Sequence, residues 1–488
     1  MKQTKNPFLP LNEYIADGEA HVFGDRVYLF GSHDKENGDT YCMLDYVFYS
    51  ASVYDLSEWS TKGVSYSAKQ DPQYGEKLKY MYAPDVVQGT DGRFYLYYCM
   101  SGEKGAGGYG QQISVAVCDT PDGKYEYYGY VRFPDGRPMK EYVTFDPAVM
   151  NDKGTIRLYY GTWYPFHEQA KFLAPIFHRV ESNMFEKTVA EIKEYKEGVM
   201  GPIHVELEDD MLTIKTKPVR ILPFYVKGTD FEEHPFFEAS SIRKVGDKYY
   251  FVYSSMKGHE LCYATSDYPD KGFVYGGTIV SNGDVGLHGR KEKDRLNTTG
   301  TNHGCIENVN GKWYVFYHRN TNKTAYSRQA CVEPIEIQAD GRIVQVEITT
   351  QGADGNPLVA KGVYPAGLCC NLTNGKMPHQ GNGILKKQIP YIAENGVVMM
   401  TNGSKAVYKY FSFEEEKEVL RLRVQAMGKG IISVYSSKQE KAIGVFEVEK
   451  TNGWKDVQET FQFPLGVQEL SFVYHGNDSV KIQEFELK

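Results

Sequence analysis

Five times along the chain, a glycine-containing turn opens onto a run of aromatic and aliphatic residues. The copies are "GDRVYLFGSH" from Gly24, "DGRFYLYYCM" from Asp91, "KGTIRLYYGT" from Lys153, "GDKYYFVYSS" from Gly246 and "NGKWYVFYHR" from Asn310. Each run reads as a strand, and the turn before it as a hairpin to an earlier strand. The copies start roughly 60 to 95 residues apart, against ~40–50 in regular propeller repeats, which leaves room for long loops. Helical periodicity is almost absent here; "FEKTVAEIKEYKEG", residues 185 to 198, is the main exception. Five similar units of this kind predict an all-β fold of five four-stranded blades around an axis.

The pattern changes after "DGRIVQVEITTQG", which ends at Gly352. A Gly/Pro/Asn-rich stretch runs to about Gly383, and short alternating runs follow, among them "KAVYKYFSF", "EVLRLRVQA", "GIISVYSS" and "ELSFVYHG". Alternation at this spacing predicts an antiparallel β-sandwich of jelly-roll type. The expected division is therefore a five-bladed β-propeller over residues 1–352 and a β-sandwich over residues 353–488.

Composition narrows the function. The chain of 488 residues carries 39 Tyr and 48 Gly, as many aromatic strands joined by tight turns require. A net charge of −8 without a long basic run argues against nucleic acid and anionic membranes as partners. No apolar run reaches the ~18 residues of a membrane span. The first residues, "MKQTKNPFLPLNEY", lack the apolar segment of a secretory signal, so the cytoplasm is the expected location. Eight cysteines without a CxxC pair read as reduced, mostly buried thiols rather than a metal framework.

A second regularity lies upstream of the five turns. Asp17 in "EYIADGEAHVF", Asp85 in "MYAPDVV", Asp146 in "VTFDPAV", Glu238 in "FFEASSI" and His303 in "TNHGCIE" each precede a turn by roughly seven to nine residues. If the strands that carry them line a common axis, four carboxylates and a histidine converge on one funnel. Two opposed carboxylates around a sugar-sized cavity suit glycosidic-bond cleavage, where one acid holds a proton and the other stays ionised. Glu238, behind Phe236 and Phe237, is the better proton holder, because burial and nearby negative charge both raise a carboxyl pKa. Asp17, among polar neighbours, suits the base that activates water, and Asp146 could orient and tune Glu238.

Taken in order over roughly residues 5 to 350, "YIADGEAHVFGDRVYLFGSHD", "YAPDVVQGTDGRFYLYY", "TFDPAVMNDKGTIRLYYG", "FFEASSIRKVGDKYYFVYSS" and "NHGCIENVNGKWYVFYHR" resemble glycoside hydrolase family 43. The resemblance implies inverting hydrolysis of α-L-arabinofuranosides or β-D-xylosides, on oligosaccharides derived from plant cell walls. It implies Asp17 as general base, Asp146 as pKa modulator and Glu238 as general acid. His303 matches a central family histidine often associated with calcium or sodium, and Arg328 falls where the family carries a substrate-holding arginine. With Asp85 and Phe237 these two complete the expected substrate contacts; no organic cofactor is expected. The first motif departs from the usual "ADP" by reading "ADG", which leaves the backbone behind Asp17 less fixed.

The C-terminal region resembles a family 6 carbohydrate-binding module, notably in "TNGWKDVQETFQFP" and "GNDSVKIQEFELK". Asp456 or Val457 stands where that family often places a stacking aromatic, and Lys481 stands near an expected asparagine. The region is therefore expected to be mainly structural. Two competing readings of the first domain are a non-catalytic sugar-binding propeller and a retaining fructan- or sucrose-type hydrolase. The first predicts loss of at least one acid, and the second predicts "WMNDPNG"- and "WEC"-like motifs that the chain lacks.

Overall fold

A computed structural model of the chain describes residues 2–103, 108–168, 173–379 and 389–488. The first nineteen strands form five antiparallel sheets in chain order. Sheet one holds β1 (Ile15–Phe23), β2 (Arg26–His33), β3 (Tyr46–Ser52) and β4 (Asp55–Tyr66). Sheet two holds β5 (Tyr80–Gln88), β6 (Phe94–Ser101), β7 (Ile113–Cys118) and β8 (Glu126–Tyr130). Sheet three holds β9 (Ala148–Asp152), β10 (Thr155–Tyr160), β11 (Ile203–Leu207) and β12 (Val219–Arg220). Sheet four holds β13 (Phe236–Val245), β14 (Lys248–Ser255), β15 (Glu260–Ser266) and β16 (Val274–Ser281). Sheet five has three strands, β17 (Cys305–Val309), β18 (Lys312–Asn320) and β19 (Arg328–Ile335).

The five repeated runs are the second strands β2, β6, β10, β14 and β18. Their side chains are buried almost throughout, because each faces a neighbouring sheet on both sides: Tyr97, Tyr98, Tyr159, Tyr160, Tyr250, Tyr253 and Tyr317 are all essentially inaccessible. The first strands neighbour one another in a cycle, β1 beside β5, β5 beside β9, β9 beside β13, β13 beside β17 and β17 beside β1. The side chains at their leading ends therefore meet at one place.

Two helices interrupt sheet three. α1 (Ala174–Phe185) lies ahead of the expected helical segment, and only α2 (Val189–Glu194) falls within it. α2 carries a legible start signal, a reciprocal capping box between Thr188 and Glu191. α1 has no side-chain cap, and the proline in its first turn is the start signal it carries.

The C-terminal strands form two six-stranded sheets. Strand Lys417–Ala426 shows the half-buried alternation that a sandwich demands, with Leu420, Leu422, Val424 and Ala426 inside and Arg421, Arg423 and Gln425 between them. Tyr408, Phe411, Phe472 and Phe485 fill the space between the sheets. Residues 380–383 of the expected connecting stretch lie outside the described residues.

This sandwich meets the first region through buried polar groups. Lys409 Nζ lies 3.2 Å from Asp284 Oδ2 and 3.1 Å from Glu347 Oε1. Arg319 Nη1 donates to the Cys370 carbonyl at 2.5 Å, and Asn297 Nδ2 donates to the same carbonyl at 3.1 Å. Removing one member of a buried charge pair costs about 3–5 kcal/mol. Lys409→Met is therefore expected to lower the unfolding free energy read from urea titration by that amount, and truncation of the sandwich by more. A Lys409→Met protein as stable as the parent would show that this contact does not hold the two regions together.

Candidate active site

One residue too many in three of the five inner strands shapes the site. β1 slips register against β2 between Ala16 and Glu19, β5 against β6 between Tyr82 and Asp85, and β13 against β14 between Glu238 and Ser241. The first residue of each bulge has a positive φ: Asp17 at 54°, Ala83 at 33° and Ala239 at 69°. Asp146, at 46°, holds the same place just ahead of β9. Such a conformation costs an L-residue of order 1–3 kcal/mol, and side chains of neighbouring sheets hold it. The Asp17 amide donates to His318 Nδ1 at 3.1 Å, the Ala83 amide to Ser32 Oγ at 2.8 Å and the Ala239 amide to Asp146 Oδ2 at 3.1 Å.

The bulges sort the side chains into layers. Tyr82, Phe145 and Glu238 occupy the position before the bulge, Asp17 and Asp146 its first residue, and all five line one cavity of about 710 Å³. Phe237, His303 and Arg328 line it too, as do Tyr41, Tyr109, Tyr164 and Tyr326. Two residues past the bulge the side chains turn away beneath the cavity. Asp85 belongs to that lower layer with Glu19 and Ser241, and it does not reach the cavity wall. Its carboxylate meets His21 Nε2 at 2.6 Å and accepts the Val149 amide at 2.7 Å. The expected substrate contact at Asp85 is thus corrected: the five upstream residues share a spacing but not a register.

Arg328 organises the cavity floor. Its Nη1 donates to Asp17 Oδ1 at 2.6 Å, while Nε and Nη2 donate to the two oxygens of Asp34 at 2.7 and 3.0 Å. The guanidinium lies over the Tyr41 ring, which meets Tyr326 edge-on at 4.7 Å. Arg328 here grips a carboxylate of the site rather than standing free for substrate. Asp17 is consequently fixed by His318 and Arg328, whatever freedom Gly18 allows. Glu238 is fixed from sheet three, where the Trp163 amide and Thr162 Oγ1 both donate to the Phe237 carbonyl, at 2.8 and 2.9 Å.

The carboxylates sit in opposite electrostatic states. Burial alone would raise Asp17, yet the Arg328 guanidinium holds it well below the usual carboxylate range. His303 and His318, lowered by burial to about 4 and about 3, are uncharged at neutral pH, so Arg328 carries this effect. Asp146 and Glu238 are pushed the other way, first by burial; the charge of Asp17 raises both, and that of Glu238 raises Asp146 further. The two hold a proton between them at neutral pH and titrate as a pair.

A pH profile follows from these signs. Activity that needs Asp17 ionised is lost as pH falls through its depressed pKa; activity that needs the Asp146–Glu238 proton is lost as pH rises through their raised one. The plot of kcat/KM is expected to be a bell with its acid limb below the ordinary carboxylate range and its alkaline limb above it. Asp34→Asn should move the acid limb further down, because it removes a negative charge that repels Asp17 and shares Arg328 with it. A loss of activity with both limbs unmoved would make Asp34 merely structural.

A calcium or sodium ion at His303 finds little to hold it. His303 Nδ1 lies 3.7 Å from Asp17 Oδ1 and 3.8 Å from Asp146 Oδ2, and Asp17 is already bound to Arg328. A calcium site takes six to eight oxygens. Among the described residues, the groups of three ligand atoms close enough to share an ion are Glu19–His21–Asp85 and His234–Glu260–Cys262. In the first of these, Arg243 already supplies a cation to Glu19 at 2.9 Å. The donor set therefore does not fit a protein-caged calcium at His303, and the chemistry below uses none.

In the sandwich, Asp456 pairs with Arg421 at 3.1 Å, so the position of the missing aromatic is filled by an ion pair. Trp454 beside it is 38% exposed.

Sequence reasoning passed over Asp34, His318 and the tyrosines of the wall. Asp34 and His318 lie at or beside the ends of the repeated strands β2 and β18, where the runs turn polar; that change of character was the available signal.

The matches to known proteins agree with this geometry. Residues 4–343 match the model of Glycosyl hydrolases family 43, and residues 379–488 that of Carbohydrate binding module (family 6). A xylosidase/arabinosidase of Thermoclostridium stercorarium is 41% identical, with 100% of this chain and 99% of that protein covered. CoXyl43, a β-xylosidase/α-arabinofuranosidase from a compost microbial metagenome, solved with xylotriose in a calcium-free form, superimposes with a TM-score of 0.53 at 26% identity, covering 71% of this chain and 98% of its own. An arabinoxylan arabinofuranohydrolase of Bacillus subtilis shares the fold at a TM-score of 0.51 and 20% identity, covering 99% and 97%. The layered carboxylates, and a family model matched from residue 4 to residue 343, lead to one conclusion: this chain belongs to glycosyl hydrolases family 43.

Proposed function

We propose that the chain releases α-L-arabinofuranose, β-D-xylose or both from xylan- and arabinoxylan-derived oligosaccharides, with inversion at the anomeric carbon. The observation that carries the chemistry is the split between an ionised Asp17 under Arg328 and a proton-holding Asp146–Glu238 pair in the same cavity. In this reading Asp17 takes a proton from the attacking water and Glu238 gives one to the departing glycosidic oxygen. Burial and the charge of Asp17 keep Glu238 protonated, and Asp146 keeps the bulge at Ala239 closed through its hydrogen bond. The sugars rest on the names of the relatives, xylosidase/arabinosidase among them.

The same reading takes the five cyclic sheets as five propeller blades, residues 1–352 as the catalytic domain and residues 353–488 as the module-like domain. It takes the cytoplasm as the place of action, on short imported oligosaccharides. A cation in the channel, of the kind that a calcium-free form of a relative brings to mind, would have to be held at His303 largely by water.

The test is a panel of p-nitrophenyl α-L-arabinofuranoside, β-D-xyloside and fructan substrates, with proton NMR of the first product. Hydrolysis of one or both aryl glycosides with release of the inverted anomer is expected. Activity confined to fructan, or release of the retained anomer, would overturn the proposal.

A further inference from the structure

A second cluster of chemistry-bearing side chains lies in sheet four, outside the catalytic cavity. His234 stands on the approach to β13, and Glu260 and Cys262 project from one face of β15, two residues apart. His234 Nδ1 meets Glu260 Oε1 at 2.6 Å and Cys262 Sγ at 4.0 Å, and the three ligand atoms all lie within 4.8 Å of one another. Glu260 and Cys262 are buried, but the His234 side chain is 23% exposed, so the cluster opens to solvent on one side.

The surroundings hold all three in place, Cys262 Sγ lying 3.7 Å from Thr278 Oγ1. Ser255 Oγ donates to Glu260 Oε1 at 2.6 Å and Thr278 Oγ1 to Oε2 at 3.2 Å. The His234 ring stacks on Tyr275 at 4.9 Å with 12° between planes, and Tyr253 OH donates to the His234 carbonyl at 2.9 Å. Such partners hold Glu260 and the His234 backbone where three ligand atoms converge, which a metal site requires. Unlike Glu19–His21–Asp85, where Arg243 already provides the positive charge, the described ion pairs of this cluster include no lysine or arginine.

We propose that His234 Nδ1, Glu260 Oε1 and Cys262 Sγ bind a divalent transition ion of the zinc class, with a solvent molecule in the fourth position. An imidazole, a thiolate and a single carboxylate oxygen suit such an ion and not calcium or magnesium. At zinc–ligand lengths a tetrahedral ion sets its ligand atoms about 3.3–3.6 Å apart. Nδ1 and Oε1 must part by under ~1 Å, and Sγ must close on Nδ1 by about 0.5 Å, both within reach of side-chain rotation. On binding, the Cys262 thiol loses its proton to solvent, and the proton that Nδ1 shares with Glu260 passes by way of solvent to Nε2 of the same ring, so that Sγ and Nδ1 each present a lone pair. The ion would pin the segment His234–Phe236, which leads into the strand of Glu238, to β15.

The test is titration of the intact, EDTA-treated protein with Co²⁺ alone, followed by absorption spectroscopy. Saturation at one equivalent is expected, with tetrahedral d–d bands and a thiolate-to-cobalt charge-transfer band that Cys262→Ser removes. His234→Asn, altered at the more open position, should weaken binding by more than the ~10–100-fold that loss of an outer partner costs, and it serves if Cys262→Ser fails to fold. Zinc should raise the Tm of the parent and not of either variant. No charge-transfer band in the parent, an undiminished band in Cys262→Ser, or unchanged cobalt affinity in His234→Asn would each overturn the proposal.

Discussion

Asp17→Asn is expected to lose about 10²–10⁴-fold in kcat, the usual worth of general acid–base help, on natural and activated substrates alike. A good leaving group does not remove the need for a base-activated water, so no choice of aryl glycoside should rescue the variant. The fold should survive. Arg328 keeps its two bonds to Asp34, and the Asp17 amide keeps His318. Thermal unfolding close to that of the parent is therefore part of the expectation. A sharply lowered melting temperature together with substantial residual turnover would make Asp17 a structural anchor for Arg328 and leave the base unidentified.

How far the site could be read from the chain depends on what each signal measures. Turn-plus-strand runs measure local conformation, and all five appear as second strands. The acids upstream were found by counting residues back from those turns, and a count cannot see a β-bulge. Asp17 sits on the first bulge residue, Asp146 on the matching positive-φ residue ahead of β9, Glu238 one place before its bulge and Asp85 two places after the start of its own, so three reach the cavity and Asp85 turns beneath. The pairing of Arg328 with Asp34 spans 294 positions of chain and has no local signature at all. For His318 the polar end of its aromatic run is a local signal, but only closure of sheet five against sheet one makes it the acceptor for the Asp17 amide. α1, from which Met184 lines the cavity, carries proline in its first turn but no capping side chain, so its start is only weakly marked in the sequence.

Glu238→Gln should separate leaving groups where Asp17→Asn does not. On a natural glycosidic linkage the departing oxygen must be protonated, and loss of the acid is expected to cost about 10²–10⁴-fold. On an aryl glycoside whose phenol leaves readily as its anion, the loss should be far smaller. Glutamine keeps the size of the side chain and leaves the Phe237 carbonyl to Thr162 and Trp163, so the backbone at the bulge is unchanged. The charge balance is not. With position 238 neutral at every pH, Asp146 no longer shares a proton with it, and one of the charges that raise its pKa is gone. The alkaline limb measured on the aryl substrate should therefore disappear or move, while the acid limb set by Asp17 and Arg328 stays. Equal losses on both substrate types, with the alkaline limb in its original place, would remove Glu238 as the proton donor and transfer that role to Asp146.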